Sequence, residues 1–264
     1  MARYRSVRLR TRRHKHTKTL VLLTGICIIF ALTGIMMKNT GLAGNTATDV
    51  QKWEYIHENQ DLYPKALLDD LERNDELLDF AAGYPTADHT VQGAITRKER
   101  RELCPLLLQW DTRWGYVDYG SDVIGITGCG PTCLAMIIIG LTGNAVATPD
   151  YLANEAESKG YYINGQGTAW SFLVDEAQLF NLQVSQHSGA DESELKRILD
   201  EKGLIICSMG PGNFTDQGHF IVICDHTPDG FVVHDPFSRK NSNLLWNYET
   251  LSSQWKQLWF YSKM

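Results

Sequence analysis

The 264-residue sequence contains no G-x-x-x-x-G-K-S/T segment, no internal repeat and, after Cys129 and Cys133, no second close pair of cysteines. The first absence excludes a nucleotide-driven exporter built on a phosphate-binding loop. The last argues against structural zinc, which favours two tight cysteine pairs or cysteine–histidine knuckles, so neither metal nor cofactor is expected. Basic charge is also scarce once residues 1–19 are passed. That stretch, MARYRSVRLRTRRHKHTKT, holds eight Lys or Arg and no acid, leaving 17 basic against 31 acidic residues in the remainder. An acidic body is a poor partner for nucleic acid, because affinity for phosphate backbones comes mainly from neutralising them.

Long runs dominated by apolar residues are equally rare, and the one at residues 20–37 accounts for the basic block. LVLLTGICIIFALTGIMM, residues 20–37, carries no charge. As a helix rising 1.5 Å per residue it would span about 27 Å, close to the ~30 Å hydrocarbon core of a bilayer. The basic flank predicts a cytosolic tail over 1–19, a transmembrane anchor over 20–37 and an extracellular body. The alternative is cleavage as a signal peptide near GLA at 41–43, which would leave a secreted protein. Either way residues 44–264 are exported. Cys27 falls within the apolar run, so Cys104, Cys129, Cys133, Cys207 and Cys224 remain outside. An odd number leaves at least one thiol without an intramolecular partner.

The polar run KNTGLAGNTAT, residues 38–48, reads as a linker. YPKALLDDLERNDELLDFAAGYP, residues 63–85, spaces Leu67, Leu68, Leu71, Leu77, Leu78 and Phe80 near helical periodicity, which predicts one or two amphipathic helices. With the polar stretch 86–103 these residues form a linker and helical stalk over 38–103. From Cys104 to Met264 one α/β unit is expected. CPLLLQW reads as a strand, and helices are expected from Thr132, from a Thr148 cap with Pro149 in first position, over 167–181 and over 191–203. The period then falls to two, and GLIICSM, HFIVICD and FVVHDPF read as strands, the last two as a hairpin. Helices first and strands afterwards predict a segregated α+β domain.

GITGCGPTCLAM, residues 125–136, places Cys129 between two glycines, followed by Pro131 and an apolar helix. A thiol there meets the unpaired N–H groups and positive dipole end of a helix, which favour the thiolate. Cys133 lies one turn deeper among apolar residues, where a thiol is inert. His219 stands where a glycine-rich loop runs into a strand, a position suited to a cleft edge. In the expected hairpin the residues near Asp235 lie opposite His219, and a carboxylate so placed would fix the imidazole tautomer. A register slip of one would present His234 or Pro236 instead. Two rival readings use the same residues. One makes the cysteines and His219 core packing in a catalytically inactive binding or scaffold module. The other makes Cys129 and Cys133 metal ligands completed by His219 or His234.

GCGPTCLAM, GHFIVICD and VVHDPF in that order resemble the bacteriocin-processing, double-glycine-leader peptidases and their free-standing relatives in the papain-like cysteine peptidase superfamily. The resemblance spans about Pro105 to Tyr261. It implies a papain-like fold in which the nucleophile helix packs on an antiparallel sheet. It also implies Cys129 as nucleophile, His219 as base and later acid, Asp235 as orienting residue and Gln109 as an oxyanion donor. Nineteen residues separate Gln109 from Cys129, more than in the transporter-fused members. Those members work from the cytosolic side, so leader cleavage does not carry over to an exported domain. The expected partners are a peptide or protein substrate and the membrane, with no nucleotide. The expected activity is hydrolysis of peptide bonds by an exported thiol peptidase. Trp110, Trp114, Tyr116, Trp170, Phe214 and Phe237 are candidates to line its cleft.

Overall fold

The computed structural model describes residues 48–264. The expected basic tail and membrane anchor lie outside the described residues. Among the described residues no helix is long and apolar enough to cross a membrane.

Three helices come first: α1 (Asp49–Glu58), α2 (Lys65–Arg73) and α3 (Leu78–Gly83). A capping box opens α1, Thr48 accepting from Gln51 N–H while the Gln51 side chain accepts from Thr48 N–H. Leu67 and Leu71, four apart on α2, share a buried cluster with Phe80, Leu108, Trp110 and Val123. An i,i+4 apolar stripe needs a partner surface. Residues 106–126 supply it, so the helical segment expected over 63–85 packs on the residues that follow.

Residues 104–110, expected as a strand, run without regular ladder pairing; Gln109 N–H donates to Pro236 O at 2.8 Å. Helix α4 (Cys129–Thr142) is buried on every side through its middle, from Gly130 to Ile139. Gly143, at φ 70°, ends it in the left-handed conformation that glycine adopts freely. Gly140 does not end it. The residue must lack a side chain because a Cβ there would run into the Leu103 carbonyl oxygen. Helix α5 (Pro149–Ser158) starts on the expected Thr148 cap, and α6 (Trp170–Leu179) and α7 (Glu192–Asp200) follow.

Six antiparallel strands form the main sheet: β1 (Leu182–His187), β2 (Leu204–Met209), β3 (His219–Thr227), β4 (Gly230–His234), β5 (Leu245–Trp246) and β6 (Trp255–Lys263), in the order β1-β6-β2-β3-β4-β5. One face packs on α4 through Ile206, Phe220, Val222 and Trp259. The other buries Ile205, Ile221, Ile223 and Val233 with Leu195 and Leu199 of α7. The β3–β4 hairpin pairs Thr227 with Gly230 and Val222 with His234. Its register shifts between Ile223 and Asp225, leaving Cys224 as a bulge.

Candidate active site

Cys129 is the first residue of α4, and it is half-buried where every other described cysteine is buried. Gly128 ahead of it has no room for a side chain, since a Cβ would stand 2.6 Å from Ile124 O. Gly130 packs as closely on Thr168, whose Oγ1 would lie 2.8 Å from a Cβ. These glycines let the helix mouth approach its neighbours and present Cys129 to a cavity of about 570 Å³. As the first helical residue, Cys129 carries one of the N–H groups that have no acceptor inside the helix.

His219 lines the same cavity at the start of β3. Its Nε2 is 2.7 Å from Oδ1 of Asp235, which is fully buried. The Cys129 thiol faces the same cavity and is among the groups that raise the imidazole. With Nε2 committed to Asp235, Nδ1 is the nitrogen left to face the sulfur. Burial disfavours the imidazolium, but the charge and hydrogen bond of Asp235, and then Cys129, outweigh it and raise His219 to about 10.

Asp235 reaches His219 by a route different from the expected cross-strand pairing. Extending the Val222–His234 register puts Ile221, not His219, opposite position 235. Asp235 lies just past the end of β4 and is aimed by the turn that follows. Its Oδ1 also accepts from Phe237 N–H at 2.8 Å, and Oδ2 accepts from Asn241 Nδ2 at 2.8 Å. Its own N–H donates to Ser242 Oγ at 2.9 Å. Asn241 and Ser242, on a single helical turn over Arg239–Ser242, escaped the sequence reading because one short turn carries no periodic signal.

Gln109 is buried 16 residues from Gly125, yet its Nε2 donates to Gly125 O at 3.0 Å and Ile126 O at 3.1 Å. Both carbonyls belong to the turn that leads into Cys129. Its Oε1 is buried without a hydrogen-bond partner among the described residues. The amide is thus engaged behind the cavity instead of lining it.

Cys133 donates to Phe220 O at 3.2 Å, and burial, then Cys129, push its thiol up. A lowered thiol is found at Cys224, chiefly through a hydrogen bond from Cys104 and then through His234, while burial pushes Cys104 up. Of the aromatic candidates for the cleft, Trp170 lines the cavity and is 42% exposed. Trp110, Trp114 and Phe214 are core residues, and Tyr116 donates to Phe80 O. Phe237 lies edge-on to the His219 ring, 6.2 Å between centroids.

Residues 104–263 match the model of the Peptidase_C39 like family. No curated protein matches the chain in sequence. Among solved structures, the peptidase domain of Streptococcus ComA, a bi-functional ABC transporter involved in a quorum-sensing pathway, is 19% identical. That likeness covers 52% of this chain and 93% of that one, with a TM-score of 0.42. A double glycine motif protease from an AMS/PCAT transporter, in complex with the leader peptide, is 14% identical, covering 65% and 98% with a TM-score of 0.39.

Proposed function

The chain belongs to the Peptidase_C39 like family, and from that premise we propose that it is a cysteine peptidase whose nucleophile is Cys129, with His219 as acid–base and Asp235 as the group that orients and charges the imidazole. The observation that carries the reading is the buried His219–Asp235 pair, 2.7 Å apart, on the wall of the cavity into which the α4 N-terminus delivers Cys129. Asp235 and the helix dipole both favour a thiolate–imidazolium pair over two neutral groups.

In this mechanism the Cys129 proton passes to His219 and the sulfur attacks a substrate carbonyl carbon. The resulting oxyanion is received by Cys129 N–H at the helix mouth. The C–N bond then breaks, with His219 returning its proton to the leaving amine. Water, deprotonated by His219, hydrolyses the thioester and releases the acid. Gln109 enters as a positioning residue: its two N–H groups hold the Gly125–Ile126 turn that sets the direction of the nucleophile. The substrate is an exported peptide or protein segment whose side chains reach Trp170 and Tyr162 at the cavity wall. The body works outside the cell, held by the apolar run at 20–37.

Exposure alone makes Cys129 the easiest described thiol to alkylate, so labelling it proves accessibility only. The test is the rate of iodoacetamide labelling below pH 7 in the full chain and in His219→Ala. Activation by the imidazole predicts a rate at least about tenfold lower in the variant, since the thiolate is the reactive species. The full chain, but not Cys129→Ala, should also cleave members of a peptide library. Equal labelling rates, with no cleavage, would leave a peptidase fold without peptidase chemistry.

A further inference from the structure

Far from the cavity, the Sγ atoms of Cys104 and Cys224 and a ring nitrogen of His234 all lie within 4.8 Å of one another. Three separate parts of the chain converge there. Cys104 ends the stretch that crosses α4 at Gly140, eleven residues and so about 16 Å along the helix from Cys129. Cys224 is the bulge residue of β3, unpaired between the Ile223–Val233 and Asp225–Val232 pairs. Bulges of this kind re-aim a side chain. His234 is the last residue of β4, paired with Val222. Both cysteines are buried, and Nδ1 of His234 is buried with no hydrogen-bond partner among the described residues.

We infer that Cys104, Cys224 and His234 form a binding site for one soft divalent cation, zinc(II), with a water as fourth ligand. Two thiolates and an imidazole are the donor set this ion favours, and three protein ligands plus water is a coordination it regularly takes. With metal–ligand bonds of about 2.0–2.3 Å, tetrahedral donors stand roughly 3.5–3.8 Å apart. The observed cluster therefore needs only a small contraction to close on an ion. The bound ion would tie the segment leading to Gln109 onto the hairpin that carries His219 and Asp235. This explains the position of cysteines for which the peptidase chemistry has no use.

The probe is cobalt(II), a spectroscopic stand-in for zinc(II), added to the reduced full-length chain. One equivalent should bind with the thiolate-to-cobalt charge-transfer absorption of a two-sulfur site and be displaced by zinc(II). Cys104→Ser, Cys224→Ser and His234→Gln should each weaken binding by at least the 10–100-fold typical of losing even an outer partner, whereas Cys129→Ser should bind as the unaltered chain does. The spectrum of the unaltered chain decides the matter even if a ligand variant fails to fold. Absence of that absorption overturns the assignment. So does a Cys104–Cys224 disulfide, two hydrogens lighter, in protein isolated without reductant.

Discussion

At the scale of single residues the sharpest consequence concerns Asp235. It is the main reason the His219 imidazole, buried and by burial alone pushed towards neutrality, is raised to about 10. A group whose folded pKa exceeds its unfolded value of about 6.5 stabilises the fold fully below that pH, and the contribution is lost as pH rises through the folded value. Native stability should therefore fall between pH 6.5 and 10, as denaturant melts across that range would register. In Asp235→Asn only Cys129 still opposes the burial penalty, so the imidazole loses its proton at lower pH than in the parent. The alkaline fall in kcat/KM, expected near pH 10 in the parent, should move to lower pH with it. An unmoved alkaline limb would show that Asp235 does not set the charge of His219. Gln109 makes a second case. Oxyanion donors typically contribute about 2.7–4 kcal/mol to the barrier and little to folding. A clamp on the buried Gly125 carbonyl and the half-buried Ile126 carbonyl costs stability too, about 1–3 kcal/mol where a buried acceptor is left bare. Gln109→Ala should lower both kcat and Tm; a drop in kcat at unchanged Tm would return it to the oxyanion role that the resemblance implied.

At the scale of elements, a glycine within α4 decides how the chain closes. Alanine is better than glycine in a helix interior by about 1 kcal/mol. At Gly140, however, the added methyl meets the backbone oxygen of Leu103, which cannot rotate away, and overpacking of this kind costs about 1–3 kcal/mol. Gly140→Ala should thus destabilise on balance, measured as a lower denaturant midpoint with unchanged slope. The elements that the sequence made legible were those with one strong local signal: the largely apolar α4, the capped α5 and α7, the amphipathic α6, and the strands β2, β3 and β4. Strand β6 was hidden because it lies between β1 and β2 with Leu258 to Tyr261 buried on both faces, which erases the period of two. Strand β1 was hidden for the opposite reason, being an edge with Leu182 alone fully buried. The hairpin was foreseen but its register was not. A single inserted residue at Cys224 shifts every pair beyond it, and no composition rule places a bulge. The His219–Asp235 contact survives because the 235–242 turn, and not the ladder, aims the carboxylate.

At the scale of the whole molecule the question is whether residues 49–83, which precede the family-matched region 104–263, are an appendage or part of the same folded unit. Their buried residues argue for the second. Leu67, Leu71 and Leu77 are at most 1% exposed and pack in one cluster with Leu108, Trp110 and Val123. A polar bond runs the same way: Asn74 Nδ2 donates at 2.7 Å to the carbonyl of Phe237, two residues beyond Asp235. Ala66 stands on the cavity wall beside Cys129 and His219, so α2 also shapes what the cleft admits. Truncating a leucine in such a core removes its transfer free energy and leaves a cavity, together about 2–5 kcal/mol. Leu71→Ala should lower stability by that amount in one cooperative transition, read alike by Trp fluorescence and by circular dichroism. It should also weaken peptide cleavage at temperatures where the fold persists, since the turn that holds Asp235 rests on the same helices. Two separate transitions, with cleavage intact after the first, would mean that the helices melt away from a self-sufficient domain and that the cleft owes them nothing.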